Sequence, residues 1–198
     1  MRNVVYLVLF DGFADWEPAL ATCEIREHGG YDLVTVGFDD STVTSMGGMQ
    51  IIPQIRLDQI AVERTVMLVI PGGSRWEDTP DLDEDEKLIR LVQLLRGQHV
   101  PLAAICSGTL LLGRAGVLKG VRHTSNSLDY LLENLTDYSE DAYYVDAPAV
   151  RHKHVITASG SGYVEFTREI LGLLRIYDES ALEVWYDLFK KGVVAGLR

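Results

Sequence analysis

Four runs of the chain, Val4–Phe10, Asp32–Phe38, Thr65–Ile70 and Val100–Ile105, are rich in β-forming residues and apolar on both sides rather than alternating. Strands of that kind belong inside a parallel sheet covered on both faces. Helical stretches lie between or after them, at Asp15–His28, Asp83–Arg96, Gly108–Ala115 and Ser127–Asn134, and the first three are followed by Gly29-Gly30, Gly97 and Gly116 as helix stops. Thr79-Pro80 reads as the N-cap and first residue of the second helix, whose Leu88, Leu91, Val92 and Leu95 share one face. Strands alternating with helices of this length predict right-handed βαβ units, and therefore the α/β class: an open, mostly parallel sheet with helices on both faces. Val43–Gln54, with Gly47-Gly48 at its centre, predicts a hairpin inserted after the second strand, and Tyr143–Val145 with Val155–Ala158 a later strand pair. Two amphipathic helices, Gly162–Arg175 and Ser180–Lys190, close the chain.

With 198 residues, 47% of them hydrophobic, and no internal repeat or linker, residues 1–198 are expected to form one domain. No apolar run reaches the roughly 18–20 residues of a membrane span, so a cytoplasmic protein without membrane contact is expected. The balance of 18 basic against 29 acidic residues disfavours nucleic acid as a partner. Seven of the acids fall in Glu77–Glu86, which reads as a solvated loop and first helical turn without chemistry. Two cysteines without a Cys-x-x-Cys or Cys/His cluster predict neither a disulfide framework nor a metal site, and no cofactor is expected.

Chemistry concentrates at Val100–Gly113. A buried strand runs straight into Cys106-Ser107-Gly108 and then into a helix, which outlines a nucleophile elbow at the carboxyl edge of the sheet. Such a turn exposes the sulfur, and a helix start is expected to lower its pKa. Cys23, within a helix, reads instead as a small packing residue. Ile70-Pro71-Gly72-Gly73 ends the preceding strand, and its Gly73 N–H with that of Ser107 is a candidate oxyanion hole, with Gly72 beside it. Glu17, in the first turn after the first strand, reaches the same edge; it is either a partner of Cys106 or a surface residue near a helix start.

Taken together, Asp11-Gly12-Phe13 with Glu17, Pro71-Gly72-Gly73, Ala104–Gly108 and Leu112–Gly120 resemble the ThiJ/PfpI family of the class I glutamine amidotransferase-like superfamily, its YdeA-type bacterial members included. The resemblance covers almost the whole chain. It implies a flavodoxin-like three-layer sandwich, a Cys106 nucleophile hydrogen-bonded by a protonated Glu17, an oxyanion hole from Gly73 and Ser107, and a homodimer. Ser107 and Asn126 stand where many relatives carry histidine, and Arg151-His152-Lys153-His154 is not followed by the amidotransferase His-x-Glu. A Cys-His-acid triad is therefore not expected, and protease or glutamine amidotransferase activity is disfavoured.

His123 and Asn126 are candidate pocket residues, whereas His28, His99, His152 and His154 read as surface positions. The expected function is a cysteine-dependent enzyme acting on a small electrophilic substrate in a glyoxalase-like, deglycase-like or hydratase-like way. The alternatives are a non-enzymatic redox, stress-response or chaperone-like protein using the same cysteine, and an inert relic of the site.

Overall fold

The computed structural model describes residues 3–77 and 82–192, so the Thr79-Pro80 cap lies outside the described residues. Strands β1 (Val4–Val8), β2 (Asp32–Gly37), β3 (Val43–Thr44), β4 (Gln50–Ile51), β5 (Ile55–Arg56), β6 (Thr65–Ile70), β7 (Leu102–Ile105), β8 (Ala149–His152) and β9 (Val155–Ala158) alternate with helices α1 (Trp16–His28), α2 (Leu82–Gly97), α3 (Gly108–Arg114), α4 (Leu128–Asn134), α5 (Tyr163–Leu174) and α6 (Glu179–Lys191). Seven strands form one sheet in the order β5-β2-β1-β6-β7-β9-β8, parallel except for β8, and β3 and β4 pair apart from it. This is the expected flavodoxin-like α/β sandwich.

The apolar runs explain the sheet. All five residues of β1 and all four of β7 are buried, which a strand tolerates only when helices cover both faces. Because β1 crosses over to β2 in one direction and β6 to β7 in the other, right-handed crossovers send α1 and α2 to opposite faces. Helix α1 packs against α5, and α2 against α3 and β7. Helix α6 adds a small second cluster, in which Trp185 meets Val164 and Leu171 of α5.

Four expectations change. The later strand pair uses Ala149–His152 in place of Tyr143–Val145: Tyr143 ends a 3-10 turn, and Tyr144 makes a lone bridge to His123. The true edge strand is hard to see in the sequence, because only Val150 of its four residues is buried and Arg151 faces out. The hairpin is shorter than Val43–Gln54; Gln54 accepts from the Thr35 N–H at 3.0 Å, and the chain then adds β5 to the edge of the main sheet. Cys23 is exposed, since the buried positions of α1 are Glu17, Pro18, Ala21, Glu24 and Ile25, and residue 23 falls off that stripe. The acidic segment is not all solvated either: Asp85 is buried and holds Arg75 at 2.8 Å, and the Arg75 guanidinium lies 3.8 Å over the Phe38 ring.

Gly108 fits where it is because α3 starts hard against the end of β6. A Cβ there would lie 2.6 Å from the Ile70 carbonyl oxygen and 2.8 Å from that of Pro71. Gly108→Ala is therefore expected to lower stability by about 1–3 kcal/mol, as overpacking against backbone does. Urea titration checks it; an unchanged midpoint would mean that the elbow yields freely.

Candidate active site

The site lies where the sheet changes its direction of winding. The loops after β1 and β6 leave toward opposite faces, and the crevice this opens at the carboxyl edge is where α/β sheets take ligands. Glu17 from the first turn of α1, Gly72 and Gly73 after β6, Cys106 and Ser107 after β7 and Gly160 after β9 converge there.

Cys106 is held in the left-handed region, at φ 57°, which a non-glycine residue adopts only when its surroundings enforce it. Its N–H donates to Ala158 O at 2.9 Å, while its carbonyl accepts from the Thr109 N–H at 3.1 Å and from Thr109 Oγ1 at 2.7 Å. Thr109 Oγ1 also shares a 2.6 Å hydrogen bond with Ser125 Oγ, and the Thr124 N–H donates to Thr157 Oγ1 at 2.8 Å. These buried hydroxyls fix the loop that ends in Asn126. Asn126 Nδ2 donates to Cys106 Sγ at 3.3 Å, and its Oδ1 accepts from the Gly160 N–H at 3.0 Å.

Glu17 is completely buried, so the surface reading of this residue fails. Its Oε2 accepts from the Gly72 N–H at 2.6 Å. Its Oε1 is buried without a hydrogen-bond partner and turned toward the cysteine: the point a Cβ on Gly160 would occupy lies 3.0 Å from Cys106 Sγ and 3.3 Å from Oε1. Burial raises the Glu17 pKa to about 7, against the opposing pull of the Gly72 N–H and the thiol. Burial and the Glu17 charge also push the Cys106 thiol up, against the pull of Asn126 and the Ser107 N–H, so the expected helix-start depression is outweighed. Carboxylate and thiolate in contact repel, and the pair titrates as a unit that favours one negative charge over two.

The expected oxyanion hole is arranged differently. The Gly73 N–H donates to Ser107 Oγ at 2.8 Å, and that hydroxyl donates back to Gly73 O at 2.9 Å, so this donor is engaged away from the sulfur. Ser107 stands at the elbow as a clasp between two strand ends, and its own N–H faces the cysteine sulfur. His123 does not offer a ring nitrogen to the pocket. It is fully buried, with Nδ1 at 2.6 Å from Val121 O and Nε2 at 2.7 Å from Tyr138 Oη. Gly160 and Tyr130 are additions to the sequence reading. Tyr130 donates to Glu77 Oε1 at 2.7 Å and stands close enough to Cys106 and Ser107 to sense both. Among the described residues no group of three or more His, Cys, Asp or Glu is placed to hold a metal ion, and no helix is long and apolar enough to cross a membrane.

Comparison with known proteins matches residues 3–173 to the DJ-1/PfpI family. The chain is 32% identical over 193 residues to the "uncharacterized protease YoaZ" of Bacillus subtilis, covering 94% of this chain and 90% of that one. It is 29% identical over 122 residues to the Deglycase TK1284 of Thermococcus kodakarensis, covering 61% and 70% of the two chains. Among solved structures it is similar to the DJ-1 superfamily protein Atu0886 of Agrobacterium tumefaciens, with a TM-score of 0.86, 35% identity, and coverage of 96% and 99%.

Two outcomes follow from the geometry. Glycine adopts positive φ at no steric cost, so Cys106→Gly is expected to be more stable than Cys106→Ala by about 1 kcal/mol, measured by urea unfolding. Equal midpoints would mean that φ 57° stores no strain. The second concerns Glu17, whose pKa rises from 4.5 to about 7 on folding. The native state then keeps a proton that the unfolded state releases, and the stability this gives is full below pH 4.5 and lost as pH rises through 7. Glu17→Gln, neutral throughout, should gain on the wild type by about 3 kcal/mol between pH 5 and 8. A difference that stays flat across that range would show that the carboxyl titrates normally.

Proposed function

Because the chain belongs to the DJ-1/PfpI family, we propose that it is a cysteine-dependent enzyme acting on a small electrophilic carbon, with Cys106 as nucleophile and Glu17 as the group that carries the proton. The observation that supports this most directly is the fully buried Glu17 carboxyl turned toward the Cys106 sulfur, with its pKa near 7. A carboxyl of that pKa can both give and take a proton close to neutrality. The Glu17 carboxylate takes the thiol proton as sulfur adds to a carbonyl: the C–S bond forms, the π pair moves to oxygen, and the proton passes from Glu17 to that oxygen. Glu17, again a carboxylate, then takes the C–H proton of an α-oxoaldehyde's hemithioacetal and returns it to the neighbouring carbon, which gives a thioester that water hydrolyses to the hydroxy acid and the free thiol. The Deglycase names of several relatives support a glyoxalase-like or deglycase-like reaction; a hydratase-like one shares with it only the attack of sulfur on an electrophilic carbon.

The geometry favours this over peptide cleavage. Cysteine proteases activate sulfur with an adjacent imidazole, whereas the side chains against this sulfur are the Glu17 carboxyl and the Asn126 amide, and His123 is bonded to Val121 and Tyr138. YoaZ, a relative named as a protease, is described in its own name as uncharacterized.

The reading is checked in a Cys23→Ser background, which removes the exposed thiol, by following consumption of glyoxal as the simplest α-oxoaldehyde. Cys106→Ser should abolish turnover. Glu17→Gln removes both the proton carrier and the negative charge that holds the thiol up. Turnover should therefore fall about 10²–10⁴-fold, while the pH midpoint of Cys106 alkylation by iodoacetamide moves down. Wild-type turnover in Cys106→Ser would end the proposal.

A further inference from the structure

We propose that Asn126 is a catalytic residue, whose side-chain amide, together with the Ser107 N–H, binds the oxyanion formed when Cys106 adds to a carbonyl. This rests on the reading of Cys106 as a nucleophile. Three of the backbone donors around the site are already engaged: the Gly72 N–H with Glu17 Oε2, the Gly73 N–H with Ser107 Oγ, and the Gly160 N–H with Asn126 Oδ1. The donors that face the sulfur are Asn126 Nδ2, at 3.3 Å, and the Ser107 N–H.

The direction of the amide is determined by its partner. A backbone N–H from Gly160 can only donate, so the atom facing it must be Oδ1, and Nδ2 is thereby turned to Cys106 Sγ. Rotating the amide by half a turn would set two donors against each other at Gly160 and an oxygen lone pair against a thiolate. The loop beneath is equally constrained, because Thr124 and Ser125 are buried and bonded to Thr157 and Thr109. A preorganised donor of this kind stabilises charge as it develops without reorganising at the moment of reaction.

The sequence of events balances. Sulfur supplies the electron pair for the new C–S bond, and the carbonyl π pair moves to oxygen. Nδ2–H and the Ser107 N–H accommodate the negative oxygen until the Glu17 proton neutralises it. An amide cannot take up that proton, so Asn126 holds charge while Glu17 moves it.

Two rates separate this role from a structural one, both measured in the Cys23→Ser background. One is kcat/KM for glyoxal, which passes through an oxyanion. The other is the high-pH plateau of Cys106 alkylation by iodoacetamide, a displacement at saturated carbon that passes through none. Asn126→Asp keeps an acceptor for the Gly160 N–H but offers no donor, and Asn126→Ala removes both. Each should lose about 10²–10³-fold in kcat/KM, with the alkylation plateau held within about threefold. Retention of kcat/KM within about threefold in either variant, or a parallel fall of kcat/KM and plateau, would overturn the assignment. If the parent protein does not consume glyoxal, or Cys106→Ser still does, the nucleophile reading itself has failed and this inference falls with it.

Discussion

The hydrogen bond from the Cys106 N–H to the carbonyl oxygen of Ala158, 2.9 Å long, continues the pairing of β7 with β9 one residue past the end of the sheet. It makes the elbow possible. A residue with a side chain at φ 57° returns to an ordinary conformation unless its N–H and C=O are both tied down, and here Ala158 holds one and Thr109 the other. The position of the sulfur relative to Glu17, Asn126 and Gly160 follows from that constraint. Small residues complete it: a Cβ on Gly72 would lie 2.7 Å from Cys106 Cβ, and one on Gly160 would lie 3.0 Å from Sγ.

The electrostatics depend on the same closeness. Glu17 is fully buried, with the Gly72 N–H as donor to one oxygen and the other turned toward the cysteine, and burial keeps its proton to about pH 7 against the pull of both neighbours. The thiol responds to the same burial and to the same neighbour. Neither group has a free choice of charge. Their ionisation is a property of the pair, tuned by an amide on the far side of the sulfur.

Much of this was legible from residue order. The strand at Thr65–Ile70 coincides with its apolar run, and the parallel sheet follows from runs without alternation. Cys106, Glu17, Gly72 and Asn126 meet because three of them follow strands or sit in first turns at one edge. What escaped lies where sequence has little contrast. Edge strand β8 carries one buried residue in four. Gly160, in a Ser-Gly-Ser-Gly stretch, looks like any loop glycine until the β9 register aims it at the sulfur. Which partner Gly73 bonds depends on the Ser107 rotamer, and the burial of His123 on its Tyr138 contact. Neither is written in a local pattern.

The placement of β9 also bears on how the protein matures. In the sheet β9 lies between β7 and β8, but in the chain it comes after both, with about fifty residues separating it from the cysteine it restrains. While the ribosome is still making that stretch, β1, β6 and β7 can pair, yet Cys106 has no Ala158 carbonyl to bind and the Asn126 amide has no Gly160 N–H to aim it. Such distant pairing is the slow part of folding such a sheet. Until this late strand is inserted, the thiol lacks both the carbonyl and the aimed amide that fix it in the folded protein.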